Sequence, residues 1–208
     1  PRRLAAATGR GTDIVAAGAS LHLGARPHRC VARGRAMDYR ETARGERRSH
    51  HSERTRMIEE RLAELGITLP EPAAPVASYV PTVEVGGLLY ISGQVSFVDG
   101  KLMTGKVGDS RSEEDGILAA QGCGLMLIAQ MKKALGSLDR VERIVKLGAF
   151  VASTPDYTGQ PKVANGASDL MEAVFGDAGK HARSAVGVPV LPLDSTVEID
   201  AIVAVKPA

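Results

Sequence analysis

The chain has 208 residues, 44% of them hydrophobic and 24% charged, with a net charge of +2. This is a globular profile of a length that suits one domain with an appendage, and no stretch reaches the eighteen or so uncharged apolar residues of a membrane span. With no Trp and only 3% aromatics, there is little from which to build a stacking platform for single-stranded nucleic acid.

The small net charge hides two unlike pieces. Residues 1–56 carry 13 Arg, no Lys and five acids, for +8, whereas residues 57–208 carry 13 basic and 19 acidic residues, for −6. The first piece has no sustained apolar periodicity and cannot bury enough surface to offset its ordering entropy, so it reads as a disordered extension. Three accounts stand side by side: a basic arm for nucleic acid, an Arg-rich organelle leader, and sequence lying upstream of a natural start at Met57. The absence of Lys beside so many Arg favours the third. Cys30 and Cys123 form no metal or redox motif, which points to a reducing, cytoplasmic setting.

From Met57 the patterning is regular. "MIEERLAELGI" sets Ile58, Leu62 and Leu65 on one helical face, with Gly66 as a stop signal, and "LPEPAAP" follows as a Pro-rich connection to residue 75. "SYVPTVEVGGLLYISGQV" predicts a hairpin turning at Gly86 and Gly87. Residues 112–135 predict a helix opened by a Ser112/Asp115 capping box and closed by Gly136. "RVERIVKLGAFVAS" is the third main strand and 159–175 holds the second large helix. Strands at 183–190 and 196–205, joined by "LPLDS", complete a β-β-α-β-α-β-β order over 76–206. The predicted fold class is α+β, a mixed sheet with two helices on one face.

Few polar residues stand out. Arg183, at the head of a strand, is either a bidentate anchor for a carboxylate or an ordinary edge-strand arginine in a surface ion pair. Glu198 alternates onto one face with Thr196, Asp200 and Ile202; that face is either solvated or lines a cleft where Glu198 orients or deprotonates water. "YISGQV" marks a bulge, a close backbone approach to a ligand, or the end of a strand. Tyr79 closes a pocket or packs in the core, and a lone His181 is more often a surface residue than a base. No HExxH, GxSxG or P-loop motif is present.

"ARSAVGVPVLPLDSTVEIDAI" and the Ser-Gly-Gln hairpin together resemble the Rid family (YjgF, reactive intermediate deaminase), over about residues 76–205. The resemblance implies a chorismate-mutase-like fold, a homotrimer with clefts between subunits, and no metal or cofactor. It implies hydrolysis of reactive enamines and imines such as 2-aminoacrylate to 2-keto acids and ammonia; composition and charge, not the resemblance, give the expectation of no nucleic acid or membrane partner. By position, Arg183 matches the arginine that clamps the substrate carboxylate and Glu198 the glutamate that holds the attacking water. Tyr79, Ser92 and Gly93 match pocket residues. Three departures stand out. Ala185 replaces a common Cys, leaving its backbone to serve. His181 replaces a Pro. A long 153–170 connection sets either Asn165 or Ser168 where the family has a helix asparagine. A non-catalytic carboxylate binder and an RNA-acting protein are the alternatives, the acidic body counting against the latter. If strands 183–190 and 196–205 paired around "LPLDS", Arg183 would lie roughly 16 Å beyond Glu198's partner. Sheet twist, a bulge at Pro189 or a neighbouring subunit would have to close that gap.

Overall fold

The computed structural model describes residues 57–72 and 78–207; the proposed extension at 1–56 lies outside the described residues. The chain forms α1 (Ile58–Glu64), β1 (Thr82–Val85), β2 (Leu88–Val95), β3 (Phe97–Val98), β4 (Lys101–Leu102), α2 (Glu113–Leu135), β5 (Val141–Ala152), α3 (Gln160–Val163), α4 (Asn165–Phe175), β6 (Ala182–Val188) and β7 (Val197–Val205).

The main sheet has the order β1-β2-β7-β5-β6. All its pairings are antiparallel except β5 with β6, which is parallel and is crossed over by α3 and α4. This is the α+β layer architecture that the pattern predicts. Alternation decides what each strand buries. Val197, Ile199, Ala201 and Val203 of β7, Leu89 and Ile91 of β2, and Ile144, Leu147, Ala149 and Val151 of β5 are all buried in the core with the helices. Each such fully buried branched side chain contributes about 1.5–3 kcal/mol relative to exposure, so this one face supplies most of the driving force.

Helix α2 opens as its sequence dictates. Asp115 N–H donates to Ser112 Oγ (3.1 Å) and Ser112 N–H returns the bond to Asp115 Oδ2 (3.2 Å). Gly136 closes the helix with φ 76°, a conformation glycine adopts without a Cβ penalty. Helix α4 crosses α2 at Gly166, where an added Cβ would overlap the Ile117 carbonyl oxygen. Helix α1 docks through Ile58 N–H to Asp139 Oδ1 (2.9 Å) and Arg61 Nε–H to the Ala173 carbonyl (2.8 Å).

Four expectations are corrected. β6 and β7 are not hydrogen-bonded neighbours, because β5 lies between them and pairs with both; the connection through Pro192 is a crossover, not a hairpin. The bulge falls at Ser92–Gly93 in β2, with further irregularities in β5, and not at Pro189, which lies beyond the end of β6. The second helical region is broken at Ala164 into α3 and α4. Leu65 is 42% exposed although Leu62, on the same predicted stripe, is buried, because α1 ends at Glu64. The β3–β4 hairpin, turning at Asp99 (φ 49°) and Gly100 (φ 74°), was not anticipated.

Candidate functional site

Among the described residues, no element covers the side of the sheet opposite the helices. On it lie Val83, Val85, Tyr90, Phe150 and Val186, all substantially exposed. Cross-strand registers place them in rows. Val95, Glu198, Phe150 and Val186 form one. The next holds the Ser92–Gly93 bulge, Asp200, Gly148 and Ser184, and the third Tyr90, Ile202, Lys146 and Ala182.

Glu198 therefore stands on the open face between apolar Val95 and Phe150, with Asp200 two residues along on the same side. Half-burial, with Asp200's negative charge second, raises its carboxyl above the usual range. Glycines flank the pair. A Cβ on Gly148 would lie 2.6 Å from Asp200 Oδ1, and one on Gly93 would overlap Glu198 Oε1. β2 and β5 each give up a side chain to make a hollow around two carboxylates. The bulge that shapes it is tied down from inside, where the buried Gln94 amide donates to the carbonyls of Ser92 (2.8 Å) and Gly93 (3.2 Å). Ser92 in turn donates to the Val80 carbonyl (2.9 Å), holding the lead-in segment that carries exposed Tyr79.

Arg183 is elsewhere. Its partner in the parallel register is Leu147, a core residue, so its side chain leaves the sheet on the helix side, at the edge strand β6. Nη1 donates to Asn165 Oδ1 (3.0 Å) and Ser168 Oγ (2.9 Å), and Nη2 to the Pro161 carbonyl (3.0 Å). Both candidates for the family's helix asparagine thus touch the same guanidinium. No carboxylate pairs with Arg183 among the described residues. Among the described residues its Nε–H and a second Nη2–H have no acceptor, enough for a two-point grip on a carboxylate. Ala185 lies one pleat further along β6, half-buried against the core.

Arg183 and Glu198 lie two strands apart, roughly 10 Å across the sheet and about as far along it, and on opposite faces. No small molecule can touch both within one subunit. Sequence reasoning found each residue but set them on paired strands. It weighed Asp200 as a sign of a solvated face, missed Gly148 as a member of the hollow, and weighed His181 as a base or surface residue without its bond to Ser168. The alternation of β7 carried the first signal, and nothing in the sequence carried the last. Among the described residues, no three His, Cys, Asp or Glu side chains converge as metal ligands would.

The chain is thus an α+β domain with one helix-covered and one open sheet face, an edge arginine on the first and an apolar-walled glutamate on the second. The family model described as "YjgF/chorismate_mutase-like, putative endoribonuclease" matches residues 59–204, and the chain belongs to that family. It is 51% identical over 144 residues to Protein TCP17 of Trypanosoma cruzi, covering 68% of this chain and 90% of that one. It is 25% identical to the 2-iminobutanoate/2-iminopropanoate deaminase of Dermatophagoides farinae, covering 67% and 95%. The crystal structure of Agrobacterium tumefaciens Atu1372 superposes with a TM-score of 0.67 at 46% identity, covering 72% and 92%. No helix among the described residues is long and apolar enough to cross a membrane.

Proposed function

We propose that this protein is an enamine/imine deaminase, hydrolysing 2-aminoacrylate-type intermediates to 2-keto acids and ammonia in the cytoplasm, at clefts shared between the subunits of a homotrimer. The observation that carries the reading is the placement of Arg183 and Glu198. Each is built for one half of the reaction, and they lie on opposite sides of one sheet, so a site that uses both takes Arg183 from one copy and Glu198 from the next. The open apolar face supplies the surface on which copies meet, and no metal or organic cofactor enters the scheme.

The imine carbon is already electrophilic, so the site chiefly has to hold and orient. Arg183, with Asn165 beside it and the Ala185 backbone below, grips the carboxylate. Tyr79, Ser92 and Gly93 line the other wall. 2-Aminoacrylate first takes a proton from solvent at its methylene carbon, becoming the protonated imine. Glu198 takes a proton from water as its oxygen adds to the C=N carbon, and the C=N electron pair moves to nitrogen, leaving a neutral amine. Glu198 returns its proton to that amine; the C–N bond then breaks, ammonia leaves with the bonding pair, and C=O forms as the hydroxyl proton passes through the Glu198 carboxylate back to solvent. A carboxyl held above its usual range suits a group that both accepts and returns a proton near neutrality.

The test is 2-keto acid and ammonia release from freshly generated 2-aminoacrylate by the full chain, with spontaneous hydrolysis subtracted. Acceleration that is lost in Arg183→Ala is the expected result. No acceleration by a folded trimer that still binds 2-keto acids would mean a binding protein, and retained acceleration in Arg183→Ala would remove the clamp.

A further inference from the structure

Arg183 is gripped at three points, and one of the three is itself held by something else. Ser168 Oγ lies 2.9 Å from Arg183 Nη1 and 3.0 Å from His181 Nε2. His181 Nδ1 lies 2.6 Å from the Gly179 carbonyl oxygen. A carbonyl can only accept, so Nδ1 carries the proton. In the neutral ring Nε2 is then an acceptor, and the Ser168 hydroxyl must donate to it. With its one proton committed to His181, Ser168 Oγ presents its lone pairs to the guanidinium. With the ring neutral the chain has a single direction: Arg183 donates to Ser168, Ser168 to His181, and His181 to Gly179.

We propose that His181 is a positioning residue that acts through Ser168 to hold the Arg183 guanidinium in the orientation that binds a substrate carboxylate. The proposal rests on the reading of Arg183 as the carboxylate clamp and adds the device that aims it. Asn165 and Pro161 anchor two N–H groups from exposed positions at the mouth of α3 and α4. Ser168 lies one turn deeper, half-buried, and its acceptor is the only one of the three whose own atom also carries a proton. Without His181 its hydroxyl proton has no fixed direction, and the lone pair facing Arg183 is present only part of the time. Gly179, the far end of the chain, is itself fixed. It is buried, and an added Cβ would overlap the Met171 carbonyl on α4. The imidazole is thus referenced to the same helix that carries Asn165 and Ser168.

A residue acting this way changes how well the carboxylate is held and leaves the water-addition step to Glu198. In the full chain, His181→Ala should raise KM by about threefold to tenfold, the value of one hydrogen bond, with kcat unchanged within about twofold. Ser168→Ala should do the same. The double variant should lose no more than either single one, since each breaks the same chain. His181→Gln, whose amide can donate to Gly179 and accept from Ser168, should restore most of the affinity. The nitrogen resonances of His181 should report the Nδ1–H tautomer. Where turnover is too slow to measure, calorimetric binding of 2-oxobutanoate reads the same affinities.

Additive losses in the double variant, an unchanged KM in His181→Ala, or an Nε2–H tautomer would each overturn the relay while leaving the clamp standing, provided Arg183→Ala still abolishes binding. A wild-type protein that neither turns over 2-aminoacrylate nor binds 2-oxobutanoate would overturn the clamp and the relay together.

Discussion

Gly93 and Glu198 face each other across the β2–β7 pair with no room for another carbon between them. A Cβ on the glycine would lie 2.8 Å from Glu198 Cδ and overlap Oε1. A glycine inside a strand costs about 0.5–1 kcal/mol relative to alanine, and Gly93 is not in a backbone conformation that requires it. What it provides is space for a carboxylate. Gly93→Ala should therefore leave melting temperature nearly unchanged, since the obstruction is the free end of a side chain that can swing aside. The displaced Glu198 should lower kcat on the order of a hundredfold, the scale of an ångström's misplacement of a reacting group. A full-rate Gly93→Ala enzyme would mean that Glu198 does not hold the water.

Much of this site could be read from the sequence, but not its assembly. Alternation in "TVEIDAIVAV" put Glu198 and Asp200 on one face and the core residues on the other, which is how β7 stands. Ser-Gly in "YISGQV" leaves open a bulge, a close backbone approach or a strand end, and the structure has the bulge. What failed was pairing. Nothing local distinguishes a hairpin around "LPLDS" from a crossover that leaves β5 between its two strands, because strand order is set by which faces the helices bury. The His181–Ser168 contact, likewise, depends on how α4 settles against β6. By contrast, the Asp99–Gly100 turn of the β3–β4 hairpin carries an ordinary Asp-Gly hairpin signal and was legible though not read.

The raised carboxyl of Glu198 predicts two linked effects of pH. A carboxyl whose folded pKa lies above its unfolded value contributes stability that is full below the unfolded pKa and is lost as pH rises through the folded one. Glu198→Gln should accordingly melt higher than wild type at neutral pH, the difference vanishing in acid, while turnover is lost. The nearest titratable neighbours on its face are Asp200 and, two rows away, Lys146 and Tyr90. Asp200→Asn removes the like charge that adds to the desolvation by burial, so the acid limb of the kcat/KM profile should move to lower pH. An unmoved acid limb would separate Glu198 from the proton transfers.

If copies meet on the open face, a charge placed there should separate them. Val186 is 46% exposed, on the same row as Glu198 and Phe150. In the folded subunit Val186→Asp exposes its carboxylate to water and should be tolerated, whereas in an interface it would be buried unpaired, a penalty of several kcal/mol. Light scattering after gel filtration should show wild-type trimers and Val186→Asp monomers with native circular dichroism. The monomers should also lose imine hydrolysis, because Arg183 and Glu198 of one chain cannot serve one substrate. Monomers with full activity would place the site within a single subunit.

The α2–α4 crossing provides the converse of Gly93→Ala. At Gly166 the obstruction is backbone: an added Cβ would overlap the Ile117 carbonyl oxygen and lie 3.1 Å from the Gln121 nitrogen, so neither helix can yield by turning a side chain. Gly166→Ala should cost about 1–3 kcal/mol of stability, as overpacking does. In a domain of this size that is about 2–12 °C in Tm. Because α4 also carries Asn165 and Ser168, separating the helices moves two of the groups that aim Arg183, and KM should rise along with the loss of stability. The two glycine variants therefore give opposite signatures, one a fall in kcat at constant Tm and the other a fall in Tm with a rise in KM. A Gly166→Ala protein of unchanged Tm would show that the crossing is looser than its backbone contacts imply.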